Sequence, residues 1–236
     1  MNAFSWLSRR AGPQPSSAVA ARRDLLATPS ALNDRPLREQ RFVVLDLETS
    51  GLNMSRDLVL SIGAVVIEDG AIDLSQQFEC TLRRATHKLG ASVLIHGLAP
   101  SAIAAGREPA EALLSFMEFL GDSPLLAFHA SFDQRMLGQA LKETLGYRLQ
   151  HPFFDVAELA PLLCPHAAIR HGGLDDWTQH FGLQVQQRHH ASADALVTAE
   201  LALILFGRAR QQGLDSPAGL ADAGARWRRR RQAPAL

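Results

Sequence analysis

Hydrophobic positions in the first half of the chain follow the spacing of β-strands. Residues 42–47, 58–67 and 71–82 form apolar or alternating runs that are rich in β-branched side chains. Asp69 and Gly70, between the second and third runs, are a typical hairpin signal. Three consecutive strands joined in this way predict an antiparallel meander.

Helical spacing takes over after residue 107. Apolar side chains repeat at helical intervals in four segments, 108–120, 156–163, 174–181 and 191–206. Ser131 is a suitable N-cap for a further helix that ends near residue 145, and two short apolar runs, 125–128 and 153–154, predict two more strands. The order βββ-αβαβ-αα predicts an α/β fold with a mixed sheet flanked by helices.

Charge is distributed unevenly along the 236 residues, although 24 basic and 24 acidic side chains give a formal net charge of zero. Residues 41–207 carry 11 basic and 19 acidic side chains, whereas residues 1–40 carry 6 against 3 and residues 208–236 carry 7 against 2. These boundaries predict a basic N-terminal arm that is partly helical or disordered, a globular domain, and an Arg-rich C-terminal tail. The N-terminal arm and the C-terminal tail would attract a polyanion, or their charge reflects a compositional bias toward arginine.

Cysteine usage and hydropathy exclude several classes of protein. Cys80 and Cys164 lie far apart and outside any CxxC pattern, which argues against a disulfide scaffold or a Cys-based zinc site and favours a reducing compartment. The longest apolar run, residues 201–206, is too short to cross a bilayer. We therefore expect a location in the bacterial cytoplasm, although the Arg- and Ser-containing N-terminus also fits an organellar transit peptide.

The end of the first predicted strand carries two carboxylates. Side chains alternate along a strand, so Asp46 and Glu48 point to the same face. Two neighbouring carboxylates repel each other, and a divalent cation such as Mg²⁺ or Mn²⁺, which prefers hard oxygen ligands, removes that repulsion. Because a bare D-x-E pair is common, a solvent-exposed acidic strand end is the alternative interpretation.

Two further carboxylates lie where helices are predicted to begin. Asp133 follows a short strand, and Asp194 follows the pair His189 and His190. A helix N-terminus favours a carboxylate in its first turn, and a histidine that titrates near neutral pH suits proton transfer at a metal site. Taken singly, both motifs also fit an ordinary helix N-terminus and a surface histidine pair.

Together and in this order, the three motifs resemble the DEDD superfamily of 3′–5′ exonucleases. The narrower resemblance is to its DEDDh branch of DnaQ-like proteins, which includes DNA polymerase III epsilon subunits and ribonuclease T. It covers residues 41–207, and its most specific part is VLDLETSGL at 44–52, supported by IG at 62–63, IHGL at 95–98 and FFDV at 153–156. The resemblance implies an RNase H-like fold, whose five-stranded sheet combines an antiparallel meander with two parallel strands.

The resemblance also implies a function and a set of site residues. The function is a two-metal-ion 3′–5′ exonuclease of the proofreading or repair type, which hydrolyses phosphodiester bonds of DNA and releases nucleoside 5′-monophosphates. The implied catalytic residues are Asp46, Glu48, Asp133, His189 and Asp194. The four carboxylates among them would hold two Mg²⁺ or Mn²⁺ ions, and His189 would help to generate the attacking hydroxide. The implied substrate-binding residues are Thr49, Ser50, Leu52, His96, His129 and Phe132.

Two positions require a choice against the family pattern. His129 stands where the second motif usually has an Asn beside the substrate strand. The carboxylate of that motif, Asp133, is kept, so the departure affects substrate positioning rather than the chemistry. At the third motif, the family spacing H-x₄-D selects His189 over His190 as the base.

Two alternative functions stay open from the sequence. The same chemistry would serve a ribonuclease T-like 3′–5′ exoribonuclease, since a pocket that admits a 2′-hydroxyl differs only slightly from one that does not. The fold would also serve a non-catalytic adaptor associated with a polymerase. We expect the partner to be a nucleic acid with a free 3′ end, single-stranded DNA before others. A DNA polymerase or a regulatory protein is a second expected partner, and no membrane is expected.

Overall fold

The structure is a computed structural model that describes residues 16–85, 98–169, 172–185 and 189–232. Its strands form one sheet in the order β3-β2-β1-β4-β5. They are β1 Phe42–Thr49, β2 Val59–Glu68, β3 Ala71–Thr81, β4 Leu125–Ala127 and β5 Phe153–Asp155. The pairs β1–β2 and β2–β3 are antiparallel, whereas β1–β4 and β4–β5 are parallel. The predicted mixed sheet, a meander plus two parallel strands, is confirmed.

Helices cover both faces of this sheet. They are α1 Ser17–Asp24, α2 Pro100–Ala104, α3 Pro109–Leu120, α4 Ala130–Leu145, α5 Val156–Leu163, α6 Leu174–Phe181, α7 Ala191–Gln211 and α8 Pro217–Gln232, and a 3-10 turn, Leu37–Glu39, precedes β1. Within the described ranges, none of these helices has the length and apolar character that spanning a membrane requires.

β1 sends alternate side chains into two separate hydrophobic cores. Phe42 and Val44 belong to the core formed with α5, α6, α7 and α8, whereas Val43 belongs to the core formed with α1, α3 and α4. Burial on both faces explains why this strand reads as a continuous apolar run. Because the alternation continues along the strand, Asp46 and Glu48 lie on the face that α7 covers.

The contact between α7 and β2 depends on Gly63. A Cβ atom at this position would lie 2.1 Å from the carbonyl carbon of Ala191, the first residue of α7. Gly63 is also the partner of Asp46 across the β1–β2 pair. α7 therefore begins against the strand position that is paired with the first candidate carboxylate.

The N-terminal arm contains a helix that packs on the domain. Val19 of α1 is buried in the core beside α3 and α4. Arg22 makes ion pairs of 2.7 Å with Glu111 and with Glu118 of α3. All three charged side chains are well exposed, so the buried apolar contact orients α1 more strongly than the ion pairs do.

The C-terminal segment is also packed on the domain. The predicted boundary at 207–208 falls inside α7, which continues to Gln211. Leu220 of α8 is fully buried in the core that contains α5, α6 and α7. Deleting residues 208–236 would therefore remove part of the core together with the positive charge.

The predicted cap of α4 was wrong. The helix begins at Ala130, and its N-cap is His129 rather than Ser131. His129 has a left-handed backbone conformation with φ 64°, and its amide donates a hydrogen bond of 3.1 Å to Oδ1 of Asp155. A contact from the end of β5 therefore fixes where the chain turns, and the local sequence around Ser131 carries no sign of that contact.

Candidate active site

Four carboxylates reach one edge of the sheet from three elements. Asp46 and Glu48 end β1, while Asp133 and Asp194 lie in the first turns of α4 and α7. β4 runs parallel to β1, so both strands end at the same edge, and α4 starts directly after β4. Glu48, Asp133 and Asp194 are buried, and Asp46 is partly exposed. The structure thus brings all four predicted carboxylates to the same part of the fold.

Asp133 lies against β1 in surroundings that disfavour its negative charge. Burial raises the pKa of Asp133 well above its usual range, and the charges of Asp155 and Glu48 raise it further. Hydrogen bonds from its own backbone and from the backbone of Leu47 act in the opposite direction. Leu47 is the residue between the two β1 carboxylates, so this contact fixes Asp133 beside them.

The loop that precedes α7 is tied to Asp194. The amide of His189 donates a hydrogen bond of 3.2 Å to Oδ2 of Asp194, and His189 has a left-handed backbone with φ 63°. The side chain of His189 is exposed. Nδ1 of His190 lies 3.0 Å from the hydroxyl of Ser192, and its Nε2 lies 3.4 Å from the carboxylate of Glu79. Of the two imidazoles, that of His189 is the more accessible beside Asp194.

The segment after β1 is a loop organised by Asp57. Its carboxylate accepts hydrogen bonds from the Ser50 hydroxyl at 2.9 Å and from the Asn53 amide at 2.8 Å. A Cβ atom on Gly51 would lie 2.4 Å from Oδ2 of Asp57, so a side chain at this position would displace the Asp57 carboxylate. Leu52, at the tip, is 84% exposed. A loop of fixed shape therefore presents one apolar side chain to solvent.

Thr49 and Ser50 use their polar groups inside this loop. The Thr49 hydroxyl donates to the Gly51 carbonyl at 2.8 Å. The Ser50 amide donates to the Leu58 carbonyl at 2.9 Å, and the Ser50 hydroxyl accepts from the Leu58 amide at 3.0 Å. Both residues are buried, so they shape the loop that carries Leu52.

The remaining predicted substrate residues lie at the start of α4, with one exception. His129 is exposed, and Phe132 is half-buried against the core beside α4. Oδ1 of Asp155 accepts the His129 amide at 3.1 Å and the Ala157 amide at 3.0 Å. Burial raises the pKa of Asp155, and the charge of Glu158 adds to the effect. The predicted substrate residue His96 lies outside the described residues.

The donor chemistry at this edge fits a divalent metal ion, although the side chains do not form a finished ligand cage. Among the described residues, no three His, Cys, Asp or Glu side chains are arranged to hold a metal ion as they stand. The buried carboxylates Glu48, Asp133 and Asp194 nevertheless offer the hard oxygen ligands that Mg²⁺ and Mn²⁺ prefer. A cation would also offset the repulsion that raises the pKa of Asp133.

Comparison with known proteins identifies the family of this chain. The RNase T family, described as exonuclease, matches residues 43–202. The chain belongs to this exonuclease family. The predicted resemblance to the DEDD 3′–5′ exonucleases of the DnaQ and ribonuclease T superfamily is confirmed.

The relatives of this exonuclease domain include PolC-type DNA polymerases III. The protein from Thermotoga petrophila is 32% identical over 170 residues, which cover 72% of this chain and 12% of the relative. The protein from Bacillus subtilis is 28% identical over 182 residues, which cover 76% of this chain and 12% of the relative. The chain thus spans 12% of the length of these two relatives.

A solved exonuclease has the same fold. The crystal structure of E. coli Exonuclease I in complex with a dT13 oligonucleotide matches with a TM-score of 0.63 and 17% identity, covering 74% of this chain and 42% of that chain. A second structure of Exonuclease I matches with a TM-score of 0.63 and 18% identity, covering 75% and 42%. The predicted RNase H-like fold is confirmed.

Three residues that shape the site were absent from the predicted site set. Asp155 ends β5 and holds the His129 amide, and Asp57 holds the loop after β1. Gly63 admits the start of α7 beside β1. The carboxyl end of a predicted strand was an available signal for Asp155, and the IG pair was one for Gly63. The hydrogen bonds of Asp57 depend on the folded shape of the loop.

Proposed function

We propose that this exonuclease domain is a divalent-metal-dependent 3′–5′ exonuclease that acts on DNA and releases nucleoside 5′-monophosphates. The observation that carries the proposal is the meeting of Asp46 and Glu48 with the buried Asp133 and Asp194 at one sheet edge. Burial and the charges of neighbouring carboxylates disfavour the ionised form of Asp133, and carboxylates perturbed in this way are concentrated at functional sites. Membership of the exonuclease family supplies the reaction class.

The four carboxylates are the proposed metal ligands. Asp46, Glu48, Asp133 and Asp194 would hold two Mg²⁺ or Mn²⁺ ions, which lower the pKa of water and neutralise charge on a phosphate when bound. The chain itself keeps these oxygens in place: the Leu47 backbone holds Asp133, and the His189 amide holds Asp194. These contacts therefore orient two of the four carboxylates, Asp133 and Asp194.

His189 is the proposed general base. Its exposed imidazole would accept the proton of the attacking water, because histidine titrates near neutral pH and needs hydrogen-bond reach of that proton. His190 is less suited to this role because Ser192 and Glu79 already contact both of its ring nitrogens.

The 3′-terminal nucleotide is proposed to bind beside the loop after β1. Leu52 would contact the terminal base, while Thr49 and Ser50 keep that loop in shape. Phe132, His129 and, on the strength of the family motif, His96 would line the path of the strand. DNA is the preferred substrate because the relatives are DNA polymerases and the solved exonuclease holds an oligonucleotide of thymidine.

A panel of labelled substrates tests this proposal. Single-stranded DNA, duplex DNA with a mismatched 3′ end and single-stranded RNA are digested in parallel with Mg²⁺ and with Mn²⁺. We expect nucleoside monophosphates to be released from the 3′ end, fastest from single-stranded DNA. Asp46→Ala should lower the rate by at least about 100-fold, since even the partners of metal ligands contribute 10- to 100-fold. Asp222→Ala, an exposed carboxylate on α8, is the matched control.

The alternatives give different results in the same panel. Faster digestion of RNA than of DNA would assign the domain to exoribonucleases. A folded protein that degrades none of the substrates with either metal would overturn the enzyme proposal and leave the polymerase-associated adaptor.

A further inference from the structure

A cavity of about 580 Å³ lies beside the candidate active site and is bordered by the C-terminal helix. His129 and Ser131, at the start of α4, form the side nearest to Asp133. The C-terminal helix α8 also lines the cavity, through Trp227, Arg228 and Arg231. The volume lies within the range of about 300–1,000 Å³ that is usual for small-molecule sites.

The lining of this cavity carries charges of both signs. Asp155 and Glu158, at the end of β5 and in α5, supply the negative charges. Arg228 and Arg231 of α8 supply the positive charges, and Arg228 pairs with Glu158 at 2.5 Å. The arginines of α8 are the groups in this lining that suit a phosphate.

Aromatic groups line the same cavity. Trp227 is half-buried, and the guanidinium of Arg231 lies over its ring at 4.7 Å from the centroid. Trp177 is buried, and its indole Nε1 has no hydrogen-bond partner in the described parts of the chain. Indole rings and guanidinium planes are the groups on which nucleic-acid bases stack. An unpaired buried indole N–H is costly, and a polar ligand would satisfy it.

We propose that this cavity binds one nucleotide of the substrate strand, on the 5′ side of the reacting linkage. Its base stacks against the Trp227–Arg231 pair, and its phosphate meets Arg228. A nucleotide has a flat base, which suits Trp227 and the guanidinium plane, and a phosphate charge, which suits the arginines. The inference rests on the proposed nuclease function, because it continues the strand from Leu52 past His129 and into the cavity.

A binding experiment tests the subsite without requiring catalysis. Fluorescence anisotropy measures the Kd of a labelled oligothymidylate in the presence of EDTA. A length of about ten nucleotides is suitable, because one single-strand-binding module covers about 4–16 nucleotides. Trp227→Ala should raise Kd about tenfold or more, because base stacking contributes about 5- to 150-fold per base. Trp227→Phe keeps an aromatic face and should recover most of the affinity.

A charge-matched pair tests the arginine side. Arg231→Ala should raise Kd and lower its salt dependence, since each phosphate contact adds to that dependence. Arg148→Ala removes the same charge from an exposed residue that follows the C-terminal end of α4. At 1.5 Å per residue, that end lies about 24 Å from the start of the helix, which borders the cavity. It should leave both quantities as in the wild type. Thermal unfolding of each variant checks that the fold is kept.

The outcomes separate this inference from the proposed function. A folded Trp227→Ala variant that binds the strand as tightly as the wild type overturns the subsite, even if the enzyme digests DNA. Conversely, a wild type that binds the strand through Trp227 but does not digest it with Mg²⁺ or Mn²⁺ supports the subsite and overturns the nuclease function.

Discussion

Two histidines at the candidate active site hold a backbone conformation that side-chain-bearing residues seldom adopt. His129 has φ 64° and His189 has φ 63°, and each conformation costs of order 1–3 kcal/mol, which the surrounding contacts must offset. The amide of His129 donates to the carboxylate of Asp155, and the amide of His189 donates to the carboxylate of Asp194. The carboxylates therefore fix the two turns that lead into α4 and α7.

His189→Ala and His190→Ala should differ strongly in rate. Loss of a general base lowers the rate by about 10²- to 10⁴-fold, and only His189 is proposed to fill that role. His190→Ala removes contacts to Ser192 and Glu79 at the surface and should change kcat by less than an order of magnitude. Steady-state kinetics on single-stranded DNA measures both. Equal losses in the two variants would contradict the assignment of the base.

Gly63→Ala should damage both stability and activity. Its Cβ would lie 2.1 Å from the backbone of Ala191, so α7 must move away from β2, at a cost of about 1–3 kcal/mol in the free energy of unfolding. The shift would also carry Asp194 away from Asp46 and lower the rate. Denaturant unfolding and kinetics measure the two effects.

Gly207→Ala is the matched control for that substitution. A Cβ atom there meets no described atom within 4 Å, and Gly207 lies inside α7. Alanine should therefore raise the free energy of unfolding by up to about 1 kcal/mol. If both variants lose stability alike, the close approach at Gly63 is not the cause.

At the scale of elements, hydrophobic periodicity predicted the five strands and the helices α3, α5, α6 and α7, but it predicted neither α2 nor the start of α4. The alternating and continuous apolar runs gave β1 to β5, because burial on one or both faces leaves a period in the sequence. The predicted N-cap of α4 was wrong by two residues, since the cap is set by the contact between His129 and Asp155 across the β4–β5 edge. A contact between two residues that are 26 positions apart leaves no periodic pattern in the sequence.

His151 places a buried imidazole between the end of α3 and the approach to β5. Its Nε2 donates to the Gly121 carbonyl at the end of α3 at 2.8 Å, and its Nδ1 is buried without a hydrogen-bond partner among the described residues. Burial lowers the pKa of His151, although the Gly121 carbonyl and the charge of Asp122 partly offset this. The unfolded chain therefore takes up a proton at a higher pH than the folded chain does.

The contribution of the neutral His151 side chain to stability is therefore complete above the ordinary histidine pKa, and it is lost as the pH falls below that pKa. Between about pH 7.5 and pH 5.5, the free energy of unfolding should fall by up to about 1.4 kcal/mol per pH unit from this group. His151→Gln should flatten that dependence, whereas His166→Gln, at an exposed position, should not. Urea unfolding at a series of pH values measures the slope, and an unchanged slope in His151→Gln would refute the linkage.

At the scale of the whole molecule, the net charge of zero conceals an acidic domain between two basic segments. The structure shows that α1 and α8, one in each segment, are docked on the domain through Val19 and Leu220. Removal of residues 208–236 would expose core as well as reduce charge. The expectation that these segments attract a polyanion is therefore better tested by single arginine substitutions than by deletion.

Divalent metal ions should stabilise the folded chain. A ligand that binds only the folded state at about 100 times its Kd contributes about 2.7 kcal/mol, and here it would also relieve repulsion among buried carboxylates. The Tm should rise with Mg²⁺ or Mn²⁺ and fall again with EDTA. Asp46→Ala should lose most of this rise, whereas Asp222→Ala should keep it. An identical rise in both variants would place the metal elsewhere.

The sequence by itself determined the mixed sheet, the exonuclease family and the order of the motifs that carry Asp46, Glu48, Asp133 and Asp194. It could do so because burial imposes short periods and because strand ends and helix starts hold polar residues at short, fixed spacings. Only the tertiary structure decided that Asp155 caps the turn at His129. It also decided that Trp227 and the C-terminal arginines border a cavity beside the site. Those contacts join residues far apart in the chain, and they depend on how whole helices and strands pack.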